Sequence, residues 1–205
     1  SETDGMLRCR RYRLAGRRDS ESVTLDGYYP AGALDVTRTT GPDGCTLLTF
    51  TDWRGFVILE RRVVSDHTFA DTYRLYDVLG NVRVIIQPEG AALMTREGKT
   101  WTQSDTEMER YAFVCRYDRR GNLVYSRVPG AGAVEMRYDP LNRPAFRQTA
   151  AMRGRGETEF TLYDPIGRVA VTGISYGEMP AADSVPVMTA AYNSSDGGIG
   201  GTGYP

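Results

Sequence analysis

The chain contains few of the residues from which most metal and nucleophilic sites are built. Its 205 residues include one histidine, His67, and three cysteines, Cys9, Cys45 and Cys115. A single histidine and the lack of a Cys-x-x-Cys pair exclude multi-histidine metal sites, zinc ribbons and thioredoxin-like motifs. The odd number of widely spaced cysteines leaves their redox state open, because an exported chain could form one disulfide and keep one thiol.

The chain also lacks the usual signals for membranes and nucleic acids. No run of about 18 apolar residues occurs, so no membrane-spanning helix is predicted. The formal net charge is -1 and Lys99 is the only lysine, so nothing in the overall charge favours nucleic acid or anionic lipid as a partner. The opening segment 1–5 lacks the basic and apolar regions of a signal peptide, which predicts an internal piece of a longer polypeptide.

What the chain does contain is a repeated turn signature. Four segments begin with Tyr-Asp and carry glycine or asparagine three residues after the aspartate. Their residues are Tyr76, Asp77 and Gly80; Tyr117, Asp118 and Gly121; Tyr138, Asp139 and Asn142; and Tyr163, Asp164 and Gly167. A fifth segment keeps Asp52 and Gly55 without the tyrosine. The longest interval lies between Asp77 and Asp118 and holds an insertion at about residues 88–105.

This spacing is typical of a tight β-hairpin turn. The aspartate is expected to accept hydrogen bonds from the backbone amides two and three residues on, which closes a type I turn. The residue three after it must take a left-handed conformation, which glycine adopts without steric cost. Asn142 replaces glycine once, and asparagine is the other residue suited to that conformation. The motif residues are therefore predicted to have a structural role, with no catalytic, cofactor-binding or metal-binding residue in the chain.

The flanking residues alternate between apolar and polar as strands do, for example in 111–117, 82–86 and 134–138. This pattern predicts an all-β fold, an antiparallel meander of consecutive hairpins that forms a curved or spiralling sheet. We divide the chain into an N-terminal strand region (1–44), a repeat sheet (45–176) and a loop with a glycine-rich linker (177–205). The insertion at about 88–105 is expected to hold a short helix near residues 90–95.

The four motifs resemble the Rhs/YD-repeat family, whose repeat is commonly written Tyr-Asp-x-x-Gly-Arg-Leu. Residues 163–169 and 117–123 match best, and 50–59 looks like a degenerate copy. The resemblance covers about residues 45–175 and implies a segment of a large secreted or cell-surface bacterial protein. Members form spiralling sheets that can close into shells, as in insecticidal toxin complexes, and often carry a C-terminal toxin. The implied partners are the remainder of the same polypeptide and such a toxin domain, with no cofactor.

The family resemblance also raises the question of self-cleavage. Bacterial members carry an Asp-Pro-x-Gly autoproteolysis site within a larger core motif, and segment 164–167 matches those four letters. Here, however, the match lies in repeat register, an ordinary strand follows it, and the rest of the core motif is missing. We therefore expect the Asp164–Pro165 bond to stay intact.

Three further patterns can be interpreted either as functional sites or as ordinary structural or solvent-exposed segments. His67, between two predicted strands, is interpreted as a solvated loop residue. Segment 198–203 reads Gly-x-Gly-x-x-Gly, but no helix follows it, so we interpret residues from 193 onward as a flexible tail. The basic cluster could bind phosphates or acidic glycans, although a solvated strand face is favoured. Its members are Arg8, Arg10, Arg11, Arg13, Arg17 and Arg18.

The sequence thus favours a non-catalytic structural or interaction scaffold, part of a repeat shell related to toxin delivery. The alternative is a glycan-binding surface module that uses exposed aromatic residues and arginines, with a glycan as partner. Trp53 and Trp101 are its candidate stacking residues, although tryptophan more often fills a core. A hydrolase with clustered carboxylates is the weakest hypothesis, because each well-placed aspartate already has a turn to stabilise.

Overall fold

The computed structural model of the chain describes residues 2–16, 20–65, 67–192 and 199–202, with only the backbone described for 2–4, 191–192 and 199–202. Strands account for 51% of the residues and helices for 11%, and the repeat strands form an open antiparallel sheet. The prediction of an all-β antiparallel meander is therefore confirmed. The chain divides into two compact units, Ser1–Val114 and Cys115–Pro205.

The first unit opens with a short helix and a hairpin, and then continues as a meander. The order is α1 (Glu2–Leu7), β1 (Arg10–Ala15), β2 (Ser22–Tyr28), β3 (Asp35–Thr40), β4 (Thr46–Thr51), β5 (Val57–Ser65), β6 (Thr68–Tyr76) and β7 (Val82–Ile86). From β3 to β7 each strand pairs antiparallel with the next. β9 (Ala112–Tyr117), in which the division between the units falls, pairs antiparallel with β7 through its first half.

The insertion after β7 takes part in a second sheet. It contains α2 (Pro88–Leu93), β8 (Thr100–Thr102) and α3 (Thr106–Tyr111). The helix expected near residues 90–95 is confirmed as α2, whereas β8 was not foreseen. β8 pairs with β2, placing Trp101 opposite Val23, and Trp101 is only 1% exposed. The insertion thus supplies part of the core of the first unit.

The second unit is a meander with a returning segment. Its elements are β10 (Leu123–Val128), β11 (Gly132–Tyr138), β12 (Pro144–Gln148), α4 (Ala150–Gly154), β13 (Glu157–Tyr163), β14 (Val169–Tyr176), β15 (Thr189–Tyr192) and β16 (Ile199–Thr202). Strands β10 to β14 pair antiparallel in chain order. β15 then lies parallel to β13 at Tyr163 and Thr189, and β16 pairs with β15.

The segment expected as loop and linker supplies core residues to this unit. Val185 and Met188 are buried in one apolar cluster with Phe146, Phe160 and Leu162. The chain returns here because the apolar residues of β12 and β13 offer a surface against which Met188 is completely buried. Residues 193–198 and 203–205 of the expected linker, and Gly198 and Gly203 of the glycine motif, lie outside the described residues, while Ile199–Thr202 form β16.

Two neighbouring residues test whether this returning segment stabilises the second unit. Met188 is fully buried, whereas Val187 is 37% exposed. We expect Met188→Ala to lower the free energy of unfolding by about 2–5 kcal/mol, because it leaves a cavity in the apolar cluster. Val187→Ala serves as the control and should cost clearly less. Chemical denaturation of both variants measures the difference, and equal costs would show that the segment is not docked in this way.

Candidate functional site: the aspartate turns

The five motif aspartates make the same pair of hydrogen bonds with the backbone. In each turn Oδ1 accepts from the amides two and four residues further on, at 2.8 to 3.0 Å. The aspartates are Asp52, Asp77, Asp118, Asp139 and Asp164. The sequence argument expected the amides two and three residues on, and the second of these assignments is wrong.

The amide three residues on has a different acceptor. It belongs to the glycine or Asn142 of the motif and donates to the main-chain carbonyl of the aspartate, at 2.9 to 3.2 Å. The amide of the aspartate in turn donates to the carbonyl four residues on, at 2.8 to 3.0 Å. The carboxylate therefore reaches past the tight turn to the residue that directly precedes the return strand, and it fixes both ends of the connection.

The pivot residue of each turn is left-handed. Gly55, Gly80, Gly121 and Gly167 have φ between 84° and 88°, and Asn142 has φ 66°. Within the described part of the chain, Asn142 is the only residue other than glycine with a positive φ. This conformation is costly for residues with a Cβ and least so for asparagine, which explains the single exchange.

The second carboxylate oxygen is occupied by a side chain. In four turns the partner is the residue four after the aspartate: Asn81, Asn122, Arg143 and Arg168. In the first turn Arg54 takes this place, with Nε 3.1 Å from Oδ2 of Asp52. Every motif carboxylate is therefore hydrogen-bonded through both oxygens.

These contacts fix the protonation state of most of the aspartates. Partial burial acts to raise the pKa of Asp52, Asp118 and Asp139, but the hydrogen bonds from turn amides and neighbouring side chains outweigh it and hold each pKa below its ordinary value. The Arg168 amide and guanidinium lower the pKa of Asp164. A general acid needs a carboxyl whose pKa is raised toward neutrality, so these four aspartates are unsuited to that role.

The motif tyrosines connect one repeat to the next. The hydroxyl of Tyr76 donates to the carbonyl of Val57, at 3.0 Å. Tyr138 donates to Leu123 at 3.1 Å and Tyr163 to Pro144 at 2.6 Å. In each case the acceptor lies five residues after the aspartate of the preceding motif. We call these three contacts the tyrosine clamps. The sequence argument counted the tyrosines among the structural motif residues but predicted no contact for their hydroxyls, although the fixed spacing was visible in the sequence.

Neighbouring turns also touch directly within each unit. In the first unit the rings of Phe56 and Tyr76 stack at 4.7 Å, and a Cβ on Gly80 would lie 2.6 Å from the Phe56 ring. In the second unit Arg120 donates to the carbonyl of Pro140 at 3.0 Å, and Asn122 donates to the Asn142 side chain. The turns therefore form a contiguous edge in each unit.

The fourth turn is the most enclosed. Asp139 is 1% exposed, and its Oδ2 also accepts from the Met188 amide at 3.4 Å. Arg143 donates to Asp139 and to the Met188 carbonyl, and its guanidinium lies 4.3 Å from the centre of the Tyr163 ring. This turn therefore anchors the returning C-terminal segment of its unit.

Apolar side chains project from the turn tips into solvent. Trp53 is 87% exposed and Val78 is 94% exposed, with Leu79 beside it. In the second unit Leu141 and Ile166 are exposed at equivalent places. Contiguous exposed apolar patches, unlike single exposed side chains, commonly mark a contact with another surface.

The other residues singled out in the sequence are dispersed. His67 is exposed in the β5–β6 connection, and Asp66 beside it lies outside the described residues. Trp101 is a core residue, which removes it as a stacking candidate. Of the basic cluster, Arg11 forms an exposed ion pair with Asp26 and Arg13 is exposed, while Arg17 and Arg18 lie outside the described residues.

Neither a disulfide nor a metal centre is found among the described residues. No disulfide joins the three cysteines. Burial raises the pKa of the Cys9 thiol to about 12, so it is not a thiolate nucleophile at neutral pH. Where side chains are described, no group of three or more His, Cys, Asp or Glu residues is placed to hold a metal ion. No helix in the described ranges is long and apolar enough to cross a membrane.

Comparison with solved structures finds alignments at low sequence identity. A structure of the Photorhabdus luminescens Tc holotoxin pore with a TccC3 mutation aligns with a TM-score of 0.51 and 16% identity, over 83% of this chain and 8% of that chain. The crystal structures of TcdB2-TccC3-Cdc42 and TcdB2-TccC3-TEV align with TM-scores of 0.49 and 0.46, at 14% and 17% identity. They cover 85% and 83% of this chain and 12% and 8% of the matched chains.

No family model and no curated protein sequence matches the chain. The likeness to the holotoxin pore therefore concerns the fold. The chain spans only a small part of the length of the structure it resembles.

The left-handed pivots predict a graded response to substitution. Gly121→Ala should lower the free energy of unfolding by about 1 kcal/mol, and Gly121→Val by more, because φ is +84° while the space around the Cβ is open. Gly80→Ala should cost more than Gly121→Ala, since the Phe56 ring lies in the way. Gly154, in α4 and also with open space, is the control. Gly154→Ala should be neutral or stabilising in thermal melts. Equal effects at Gly121 and Gly154 would refute the pivot assignment.

The tyrosine clamps predict that the hydroxyl stabilises the second unit in addition to the ring. Tyr163→Phe keeps the ring but removes the donor to Pro144, so we expect a loss of about 0.5–1.5 kcal/mol in unfolding free energy. Tyr138→Phe should behave similarly. Tyr176→Phe is the matched control, because Tyr176 is largely exposed. Denaturant titration separates the cases, and the clamp is disproved if all three variants match the parent chain.

Proposed function

We propose that the chain is a non-catalytic scaffold segment of a larger secreted or surface-exposed bacterial protein related to toxin delivery. The observation that carries this proposal is that both oxygens of each of the five motif carboxylates are hydrogen-bonded within their own turn. Chemistry at a carboxylate needs an oxygen available to a proton or a substrate, and here both oxygens already hold backbone and side-chain donors. The repeat therefore uses its acidic residues to hold strands together.

The couplings between successive turns support the same function. The tyrosine clamps and the contacts between neighbouring turns connect each hairpin to the next within a unit, which is how repeat proteins transmit stability along a chain. The fold likeness to a Tc holotoxin pore structure, over a small share of that structure's length, fits a segment of a much longer scaffold. The remainder of such a polypeptide is the proposed partner.

Non-catalysis is part of the proposal and has a direct test. The single histidine is exposed, and no acidic side chain among the described residues forms an ion pair with it. The carboxylate of Asp164 is bound by Ile166 and Arg168, so it is not available to assist cleavage of the following Pro165 bond. The test is to assay the purified chain for hydrolysis of esters, peptides and glycosides. If the chain has such an activity and a single replacement at His67 or at a motif aspartate abolishes it, this part of the proposal is wrong.

The scaffold function predicts that the exposed turn tips become covered in the longer polypeptide. The fluorescence of Trp53 can report whether the tips are covered, because Trp53 is exposed to a quencher whereas Trp101 is buried. Acrylamide should quench a large part of the tryptophan fluorescence of the 205-residue chain, and Trp53→Phe should remove that part. In a polypeptide extended by its flanking repeats, the Trp53 component should be protected. If it is quenched equally in both contexts, the tips do not contact neighbouring protein and the scaffold proposal fails.

The glycan-binding alternative retains one specific observation. Trp53 is exposed, and the Arg54 guanidinium lies 5.9 Å from the centre of its ring. The burial of Trp101 removes the second stacking residue that the hypothesis required. A glycan that shifts the Trp53 emission of the 205-residue chain would favour this alternative over the scaffold.

A further inference from the structure

The first unit contains a cavity that the aspartate turns do not use. Its volume is about 420 Å³, and it lies beside the end of α1, the β5–β6 hairpin and α2. Three arginines line it, Arg8, Arg10 and Arg61. Volumes of about 300–1,000 Å³ are typical of pockets that bind small molecules.

One of the three arginines is fully engaged inside the protein. Arg61 forms a bidentate pair with Asp71, at 2.7 and 2.6 Å, and Asp71 also accepts from the Tyr73 hydroxyl at 3.2 Å. The remaining Arg61 nitrogen donates to the carbonyls of Gly5, Met6 and Arg8 at the end of α1. The charges of Arg61 and Asp71 thus compensate each other. Arg61 also occupies the three backbone carbonyls, whose oxygens would otherwise repel an anion.

The other two arginines contact an aromatic ring and a backbone carbonyl. Arg8 is exposed, with its guanidinium 4.2 Å from the centre of the Tyr28 ring. Arg10 is half-buried and donates to the carbonyl of Ala91, at 2.5 Å. Among the side chains that the structure describes, neither has an acidic partner, and Asp71 is the only carboxylate that lines the cavity.

The remaining walls suit a ligand with an organic part. Pro88, Ala91 and Ala92 give one apolar side, while His67 and Thr68 add polar groups that can hydrogen-bond an oxygen. Among the described side chains the two guanidiniums have no acidic partner, and such a site favours an oxyanion, because arginine pairs with carboxylate and phosphate oxygens through parallel N–H donors.

We propose that this cavity binds the oxyanion of a small organic acid, with Arg8 and Arg10 as the residues that contact the anion. The apolar side accommodates the organic part of the ligand. This inference stands apart from the scaffold function, since it uses neither the turns nor their tips. It also assigns a role to two members of the basic cluster, for which the sequence favoured a solvated face.

Calorimetric titration of the 205-residue chain at low salt tests the ligand class with three probes. D-glucuronate carries both a sugar ring and a carboxylate, methyl glucoside carries the ring without the charge, and inorganic sulfate carries charge without an organic part. We expect saturable binding of glucuronate, weaker binding of sulfate and none of methyl glucoside. Binding of methyl glucoside equal to that of glucuronate, or no binding of glucuronate, overturns the proposal. Sulfate binding as tight as glucuronate overturns the organic part of it.

A pair of arginine variants locates the site. Arg8→Gln should weaken glucuronate binding about tenfold, the effect of losing roughly one charge-assisted hydrogen bond. Arg38→Gln is the matched control, because Arg38 is an exposed arginine of the same unit that does not line the cavity. Its affinity should stay within about twofold of the parent chain. Both positions are exposed, and thermal melts verify that both variants fold. An unchanged affinity in Arg8→Gln overturns the assignment.

A glucuronate-containing oligosaccharide distinguishes the two sources of such an anion. Tighter binding than that of free glucuronate assigns the anion to an acidic glycan, and weaker binding assigns it to a free organic acid.

Discussion

The hydrogen bonds that two turn amides donate to one aspartate oxygen are the constraint on which the rest of this structure depends. They set the length of each connection, and the connection sets the register of the two strands that it joins. Because side chains alternate between faces, a shift of one residue would turn every buried residue of a strand toward solvent. Leu48 and Phe50 before the first turn, and Tyr73 and Leu75 before the second, are buried because the turns hold this register.

Each turn is formed by residues adjacent in sequence, whereas the tyrosine clamps join residues of successive motifs. Each tyrosine clamp joins a motif to the strand that leaves the preceding motif, so a hairpin is held by its predecessor as well as by its own aspartate. An isolated two-stranded hairpin is at best marginally stable in water. The clamp and the stacked ring of Phe56 add contacts that a single hairpin cannot make. The repeat region is therefore stabilised by contacts between successive hairpins. A scaffold built from repeats requires such contacts.

The sequence was informative where the physics is local. A turn depends on a few adjacent residues, so its pivots, Asn142 included, could be identified from residue type and spacing alone. The pairing of β8 with β2 and the return of Met188 to β13 depend on contacts between distant residues, and no local pattern specifies them. The pair of Arg61 and Asp71 lies directly across β5 and β6 in register. It becomes visible only when the pairing of those strands is known.

The same turns explain how a chain of nearly zero net charge can hold a positively charged cavity. The motif aspartates contribute five negative charges that are satisfied by backbone amides and by residues of their own turns, at the edge of each sheet. A carboxylate held in this way cannot move to pair with an arginine elsewhere, and solvent and salt screen it over distances beyond about 10 Å. Arg8 and Arg10 therefore line the cavity without an acidic partner among the described side chains, although acidic residues slightly outnumber basic ones overall. The net charge indicates little about binding here, because the turns determine where the negative charge lies.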